Sequence, residues 1–280
     1  MGVKEFIEIT RPSNALFSGV AVLIGALVAG GGFLDIFKII LVFFVAIFAC
    51  AGGNTINDYF DYEIDKINAP KRVLPRGAMS LKTAYIFSII LFVISCLFAF
   101  MVNYLAFSIC VAACFLMYLY AMTLKRKPFS GNLLVSFLTS ITFIYGGTAV
   151  GSYRGVIILA LISFFAMVSR ELVKDIEDLK GDVQKGAKTL PAIIGGQKTF
   201  RLAFFFLLVA AFLLYVPFIT GLYGYIYLGI VTPVVIFVFY ILYTLLKNNK
   251  APGKIQRNIK KAMYLVLLIF LLSALIYRIM

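Results

Sequence analysis

Residues 36–65 read IFKIILVFFVAIFACAGGNTINDYFDYEID. The first two thirds are apolar and as long as the roughly 20 residues that carry a helix across a bilayer. The last third carries Asp58, Asp61, Glu63 and Asp65. A greasy helix that ends in a knot of carboxylates fixes the class of fold, because only a membrane helix needs so long an apolar run.

The same pattern recurs. Of the twelve carboxylates, all but Glu5, Glu8 and Asp35 fall in two windows, Asp58 to Asp65 and Glu171 to Asp182. The chain as a whole is 62% hydrophobic with only 14% charged residues and a mean hydropathy of +1.01, beyond what a soluble domain buries. Candidate spans lie near 14–31, 36–57, 82–102, 104–123, 131–152, 155–176, 200–220, 224–246 and 260–279. The expected fold is therefore all-α, a polytopic membrane protein of nine transmembrane helices around a central cavity. No cleavable leader is expected, since Lys4, Glu5, Glu8 and Arg11 precede the first span.

Basic residues set an expected orientation. All Lys and Arg except Lys38, Arg154 and Arg278 lie at the N-terminus or around the loops after spans two, four, six and eight. By the positive-inside rule the N-terminus and both acidic windows are expected to face the cytoplasm, with the C-terminus outside. The net charge of +14 then reads as topology and contact with anionic lipid rather than nucleic-acid binding. Cys50, Cys96, Cys110 and Cys114 all lie inside apolar spans. Cys110 and Cys114 share a helix face, but no third or fourth ligand of zinc type accompanies them in sequence, so core packing is expected. The chain has no His, which excludes His-dependent triads and His-ligated haem.

Two long loops, 59–81 and 177–199, are expected to cover the site. They echo each other: Asp65 is followed by Lys71 to Gly77 with Leu74-Pro75, and Asp182 by Gly186 to Pro191 with Leu190-Pro191. The echo implies a single domain, 1–280, of two pseudo-repeated halves, about 1–130 and 131–280, with equivalent sites facing each other.

Helical spacing gives the carboxylates a shared direction. Asn57, Asp61 and Asp65 stand at i, i+4 and i+8, with Asp58 on the same broad side; Asp175, Asp178 and Asp182 stand at i, i+3 and i+7. Asn54 could extend the first stripe inward. Clustered carboxylates repel unless a cation shares them, and hard oxygen ligands of this kind suit Mg²⁺ with substrate phosphate oxygens. Glu63, Glu177, Lys66 and Lys180 read instead as ordinary solvated helix ends. Arg72, Lys125, Lys174 and Lys188 can supply positive charge for a diphosphate leaving group. In a protein buried in lipid, a prenyl diphosphate fits such a site, and Tyr59, Phe60, Tyr62, Tyr118 and Tyr120 lie near it in sequence.

These residues together resemble a known family. Asn57 to Asp65 resembles the first aspartate-rich motif of the UbiA superfamily of intramembrane prenyltransferases, and Asp175 to Asp182 resembles the second. Arg11-Pro12-Ser13-Asn14, Arg72 with Leu74-Pro75 and Gly77, Tyr120 with Lys125, and Lys188-Thr189-Leu190-Pro191 also match. Arg76 departs from the pattern, where a small residue is common. The resemblance implies that Asn57, Asp58, Asp61, Asp65, Asp175, Asp178 and Asp182 hold Mg²⁺ on the prenyl diphosphate. Asp61, Asp65, Asp178, Asp182 and Lys125 would be catalytic. Arg72, Lys125 and Lys188 would contact the diphosphate, and Arg11 and Asn14 would border the acceptor.

The run Arg170 to Asp178 further resembles the branch that builds archaeal ether lipid, moving a geranylgeranyl group from geranylgeranyl diphosphate to the free hydroxyl of geranylgeranylglyceryl phosphate. The partners so implied are a prenyl diphosphate, a lipid-like phosphate acceptor and the bilayer, with no nucleic acid and no obligate protein partner. Relatives acting on quinone, tocopherol or chlorophyll-type acceptors share much of the motif set. A membrane cation transporter is the alternative of another class, although its carboxylates would lie near mid-membrane rather than at helix ends.

Overall fold

Ser80, Asp35 and Asn103 each stand immediately before a long apolar helix and accept a hydrogen bond from the backbone amide three residues on, the capping arrangement that starts a helix. A computed structural model describes residues 2–30, 35–184, 189–247 and 251–279. At 68, 126, 180–184, 278 and 279 the description is of the backbone alone. The helices are α1 (Val3–Ile9), α2 (Pro12–Ala29), α3 (Ile36–Phe60), α4 (Tyr62–Asn68), α5 (Leu81–Val102), α6 (Tyr104–Met122) and α7 (Ser130–Val150). They continue with α8 (Val156–Gln184), α9 (Leu190–Ile194), α10 (Gly196–Leu213), α11 (Val216–Ile219), α12 (Tyr225–Lys247) and α13 (Pro252–Ile279). No strand occurs among the described residues.

Among the described residues nine segments are long and apolar enough to cross a bilayer: α2, α3, α5, α6, α7, α8 as far as Leu179, α10 with α11, α12 and α13. Their outward faces carry Phe17, Phe100, Phe115, Phe212 and Ile236, all exposed. Such exposure would be costly in water and is what lipid tails cover. The span expected near 155–176 runs from Val156 to Leu179. In α8 the backbone ladder continues through Arg170, Glu171 and Lys174 for two further turns, so the whole second acidic window is helical.

The chain divides into two compact units: Met1–Ala26, Gly31–Leu124 and Tyr145–Ser152 form the first, and Leu27–Gly30, Lys125–Ile144 and Tyr153–Met280 the second. In the first, α3 packs against α5 and α6, and α5 against α6. The shared core includes Val42, Ile56, Phe92, Ala99 and Ala106. In the second, α8 packs against α10 and α13, and α12 against both α10 and α13.

Small residues set how closely helices approach. A Cβ placed on Gly146 would collide with the backbone of Val22, Gly25 and Ala26 in α2, and backbone cannot step aside as a side-chain tip can. Gly146→Ala is therefore expected to destabilise the protein by about 3 kcal/mol, read as a fall in the thermal midpoint in detergent. An unchanged midpoint would show that α2 and α7 need not lie this close.

Candidate functional site

The first acidic window is built where α3 ends. Asp58 sits in the last turn of α3, Asp61 caps its C-terminus and Asp65 lies in α4. The helix breaks at Asp61 (φ −87°, ψ 0°), yet the i-to-i−4 bonds run on through it, Asp61 N to Asn57 O at 3.0 Å and Asp65 N to Asp61 O at 2.8 Å. The stripe expected from spacing thus survives a change of helix. All three aspartates are buried, at 5%, 5% and 6% exposure. Three buried carboxylates within eight residues are untenable without cationic partners.

Two arginines meet part of that need. The Arg72 guanidinium donates to Asp65 at 2.5 Å and stands 3.5 Å from Asp58. Arg11, 47 residues before Asp58, donates to the same carboxylate. Burial alone would lower the Arg72 pKa; the bond to Asp65 and the charges of Asp58 and Asp65 more than reverse this and raise it. Arg11 adopts a left-handed backbone (φ 52°), a conformation that costs a non-glycine residue of order 1–2 kcal/mol and is tolerated where a site requires it.

Arg11, expected at the acceptor edge, is thus bonded to a metal-type aspartate. Asn57 donates to Asp61 at 3.1 Å. The Asn54 side-chain amide donates to the Thr10 carbonyl at 2.9 Å, pinning the segment that carries Arg11. Asn14 is exposed in the first turns of α2, its backbone amide bonded to the Arg11 carbonyl.

Arg76, the residue that departs from the family pattern, forks onto Glu8 at 2.7 and 2.8 Å and also donates to the Lys71 carbonyl. It ties α1 to the loop that carries Arg72. The hydrogen bond from Arg76 holds the Glu8 carboxyl below the ordinary 4.5. A carboxyl depressed in the folded state favours folding above its ordinary pKa, and that contribution fades as pH falls. Arg76→Ala should move the Glu8 titration back toward 4.5 and flatten the acid limb of the pH–stability curve. An unshifted titration would show the fork to be idle.

Aromatic rings frame the same helix end. Tyr59 stacks obliquely on Tyr85 with centroids 5.2 Å apart, and Phe60 meets Tyr118 edge-on at 5.6 Å.

The second acidic window belongs to the other unit. Asp175 accepts a hydrogen bond from Asn132 of α7 at 2.7 Å, and Asp178, one turn on, is exposed. Asp182 continues the helix, its backbone within α8, while its side chain lies outside the described residues, as does the whole of Lys188. Lys125 is exposed in the short turn Leu124–Arg126. Lys174 lies 3.9 Å from Glu171, which is also bonded to Arg170 at 2.5 Å, so both have local structural partners. Glu63 and Lys66 pair with each other at 3.0 Å, as expected of a solvated helix end.

Sequence reasoning missed Asn132, because nothing in α7 marks one asparagine as a partner for a residue 43 positions away. Asn132→Leu should leave Asp175 without this donor and lower turnover roughly tenfold, the lower end for losing a residue that orients a ligand. A turnover equal to the parent protein's would contradict that role.

Comparison with known proteins places this geometry. The UbiA prenyltransferase family model matches residues 18–268. The chain is 42% identical over 278 residues to the digeranylgeranylglyceryl phosphate synthase of Thermococcus kodakarensis, covering 99% of this chain and 100% of that one. It is 44% identical over 280 residues to the synthase of the same name from Pyrococcus furiosus, covering 98% and 99%. A solved digeranylgeranylglyceryl phosphate synthase superposes with a TM-score of 0.90 at 36% identity, over 97% of this chain and 98% of that one. A UbiA homolog from Archaeoglobus fulgidus bound to DMAPP and Mg²⁺ shares the fold, with a TM-score of 0.74 at 17% identity over 96% of this chain and 99% of that one.

Proposed function

The chain belongs to the UbiA prenyltransferase family and is an integral membrane prenyltransferase; on that basis we propose that it moves a geranylgeranyl group from geranylgeranyl diphosphate to the free hydroxyl of geranylgeranylglyceryl phosphate. The observation that carries the reading is the buried group of Asp58, Asp61 and Asp65, with Arg11 and Arg72 bonded into it. The relatives named for this activity match the chain end to end. Family membership sets the transporter alternative aside.

The donor set fits Mg²⁺: it is made of hard carboxylate oxygens, with Asn57 beside them, and no soft ligand. When bound there, Mg²⁺ would neutralise the charge that gathers on the diphosphate as its bond to carbon breaks. Asn57, Asp58, Asp61, Asp65, Asp175, Asp178 and Asp182 would hold it. The Mg²⁺ and DMAPP of the A. fulgidus homolog support the assignment.

This chain's own residues do the remainder. Asn57 orients Asp61, and Arg11 holds Asp58 in place, so the carboxylates meet the ion already positioned. Arg72, Lys125 and Lys188 bind diphosphate oxygens, and Arg72 must loosen its bonds to Asp58 and Asp65 to do so. As the donor carbon–oxygen bond breaks, the allylic carbon becomes strongly electrophilic, and the acceptor hydroxyl forms the new ether bond to it. A neutral alcohol attacks such a carbon without prior ionisation and afterwards loses its proton to a motif carboxylate or to the departing diphosphate. The step therefore needs no histidine base, and the chain has none. Arg11 and Asn14 border the acceptor, whose phosphate is drawn to a face rich in Lys and Arg. The positive-inside bias supports a site on the cytoplasmic side.

The test is a panel of acceptors offered with labelled geranylgeranyl diphosphate. Geranylgeranylglyceryl phosphate is expected to accept the label; transfer to an aromatic acceptor instead would overturn the assignment.

A further inference from the structure

The second acidic window contains one carboxylate to which the metal assignment gives no task. Glu171 stands four residues before Asp175 and seven before Asp178 in α8, so it lies on the same side of the helix as both. It sits one turn, about 6 Å, nearer the apolar part of the helix than Asp175. Its side chain is 14% exposed.

Two cations hold Glu171 without closing it off. Arg170 Nη1 donates to Oε1 at 2.5 Å. Lys174 Nζ stands 3.9 Å from Oε2, too far for a hydrogen bond, so the lone pairs of Oε2 stay open. Nor is the group satisfied as an ion pair kept for stability alone would be. Among the described residues the Arg170 Nε–H is buried with no hydrogen-bond partner, and a buried charge pair with an orphaned donor is a poor stabiliser.

Depth decides what Glu171 meets. With the diphosphate held at the aspartates, the prenyl chain of the donor runs toward the apolar part of the helices. The allylic carbon then lies on the inner side of the diphosphate, the side on which Glu171 stands. The acceptor hydroxyl has to arrive at that carbon.

We propose that Glu171 is the catalytic residue that takes the proton of the acceptor hydroxyl, an inference that rests on the function proposed above. The carbon–oxygen bond of the donor breaks and its electron pair leaves with the diphosphate. A lone pair of the acceptor oxygen forms the new bond to carbon, which leaves that oxygen positive and still protonated. The proton passes to Glu171 Oε2, the O–H electron pair stays on the ether oxygen, and Glu171 hands the proton on to the departing diphosphate. A protonated ether is a far stronger acid than any carboxylic acid, so a carboxylate bonded to Arg170 still accepts from it. The positive charge left over while Glu171 is neutral falls on Lys174, whose side chain is 47% exposed and reaches water. The aspartates serve less well, because lone pairs that hold Mg²⁺ are not open to a proton.

The experiment gives the full chain in detergent a donor with a heavy oxygen isotope in the bridge between the allylic carbon and phosphorus. Two events are followed: ether formation, and movement of the isotope into non-bridging positions of unreacted donor. Such scrambling reports bond breaking and return without capture by the acceptor. Glu171→Gln keeps an acceptor for Arg170 and loses the base. It should lower ether formation about 100-fold at an unchanged KM for the donor, while scrambling continues at least as fast as in the parent. Glu171→Asp keeps the charge and withdraws the carboxylate by one carbon, so it should fall about tenfold below the parent; it carries the test if Glu171→Gln folds poorly. Asp61→Ala should lose both events. Ether formation in Glu171→Gln within about threefold of the parent would overturn the proposal. So would loss of scrambling together with ether, which would place Glu171 in donor or metal binding. A parent chain that forms no ether would overturn the function proposed above and this inference with it, whereas a variant that keeps pace with a working parent would overturn the inference alone.

Discussion

Asp61→Ala is expected to lower prenyl transfer by at least roughly 10³-fold, about 4 kcal/mol of lost barrier reduction, with the helical bundle intact. Asp61 stands at the junction of α3 and α4, 5% exposed, with Asn57 directed onto it. Its removal takes away a ligand proposed for magnesium, beside the two neighbouring aspartates. The fold should not suffer. Asp58, Asp61 and Asp65 crowd like charges into a buried site, and deleting one relieves repulsion. The thermal midpoint without magnesium should stay level or rise, while the gain in midpoint on adding magnesium shrinks. Assay, circular dichroism and the two melting curves check this together. Turnover near the parent level would remove Asp61 from the site.

Arg72→Ala should be the second most damaging change, acting on both chemistry and stability. Its guanidinium bridges Asp65 and Asp58 and is assigned to the diphosphate. Loss of a charged group that acts on a leaving phosphate should lower turnover by roughly 10²–10³-fold. Truncating one partner of a fully buried charge pair costs about 3–5 kcal/mol. Arg72 keeps 39% of its side-chain surface exposed, so solvent screening reduces the expected stability loss to about 1–2 kcal/mol. Saturating magnesium should restore much of that stability by supplying charge to Asp58 and Asp65, without restoring turnover. Arg72→Lys should fall between, since an ammonium keeps the charge and loses the fixed direction of the planar guanidinium. Full activity in Arg72→Ala, or a stability loss that magnesium leaves untouched, would contradict the role.

The sequence made the helices and the acidic windows legible because both signals are local. Apolar length gave the spans, and i, i+4 spacing gave the direction of Asn57, Asp61 and Asp65 even across the break at Asp61. The second acidic window is helical as its i, i+3, i+7 spacing implied: apolarity thins near Arg170, but a helix does not stop where its surroundings change from lipid to water. The polar contacts between distant residues were invisible. Arg11 reaches Asp58 over 47 residues and Asn132 reaches Asp175 over 43, and no local pattern encodes which distant polar residue will meet which carboxylate. Arg76 looked like a departure without consequence until Glu8 appeared opposite it.

The most direct test of the central claim is product analysis from purified protein mixed with labelled geranylgeranyl diphosphate and geranylgeranylglyceryl phosphate, in magnesium and in EDTA. The account predicts a single labelled ether product with two geranylgeranyl chains and one diphosphate released per product in magnesium, with none of either in EDTA. Equal product in EDTA, or no transfer to this acceptor in magnesium, would contradict it.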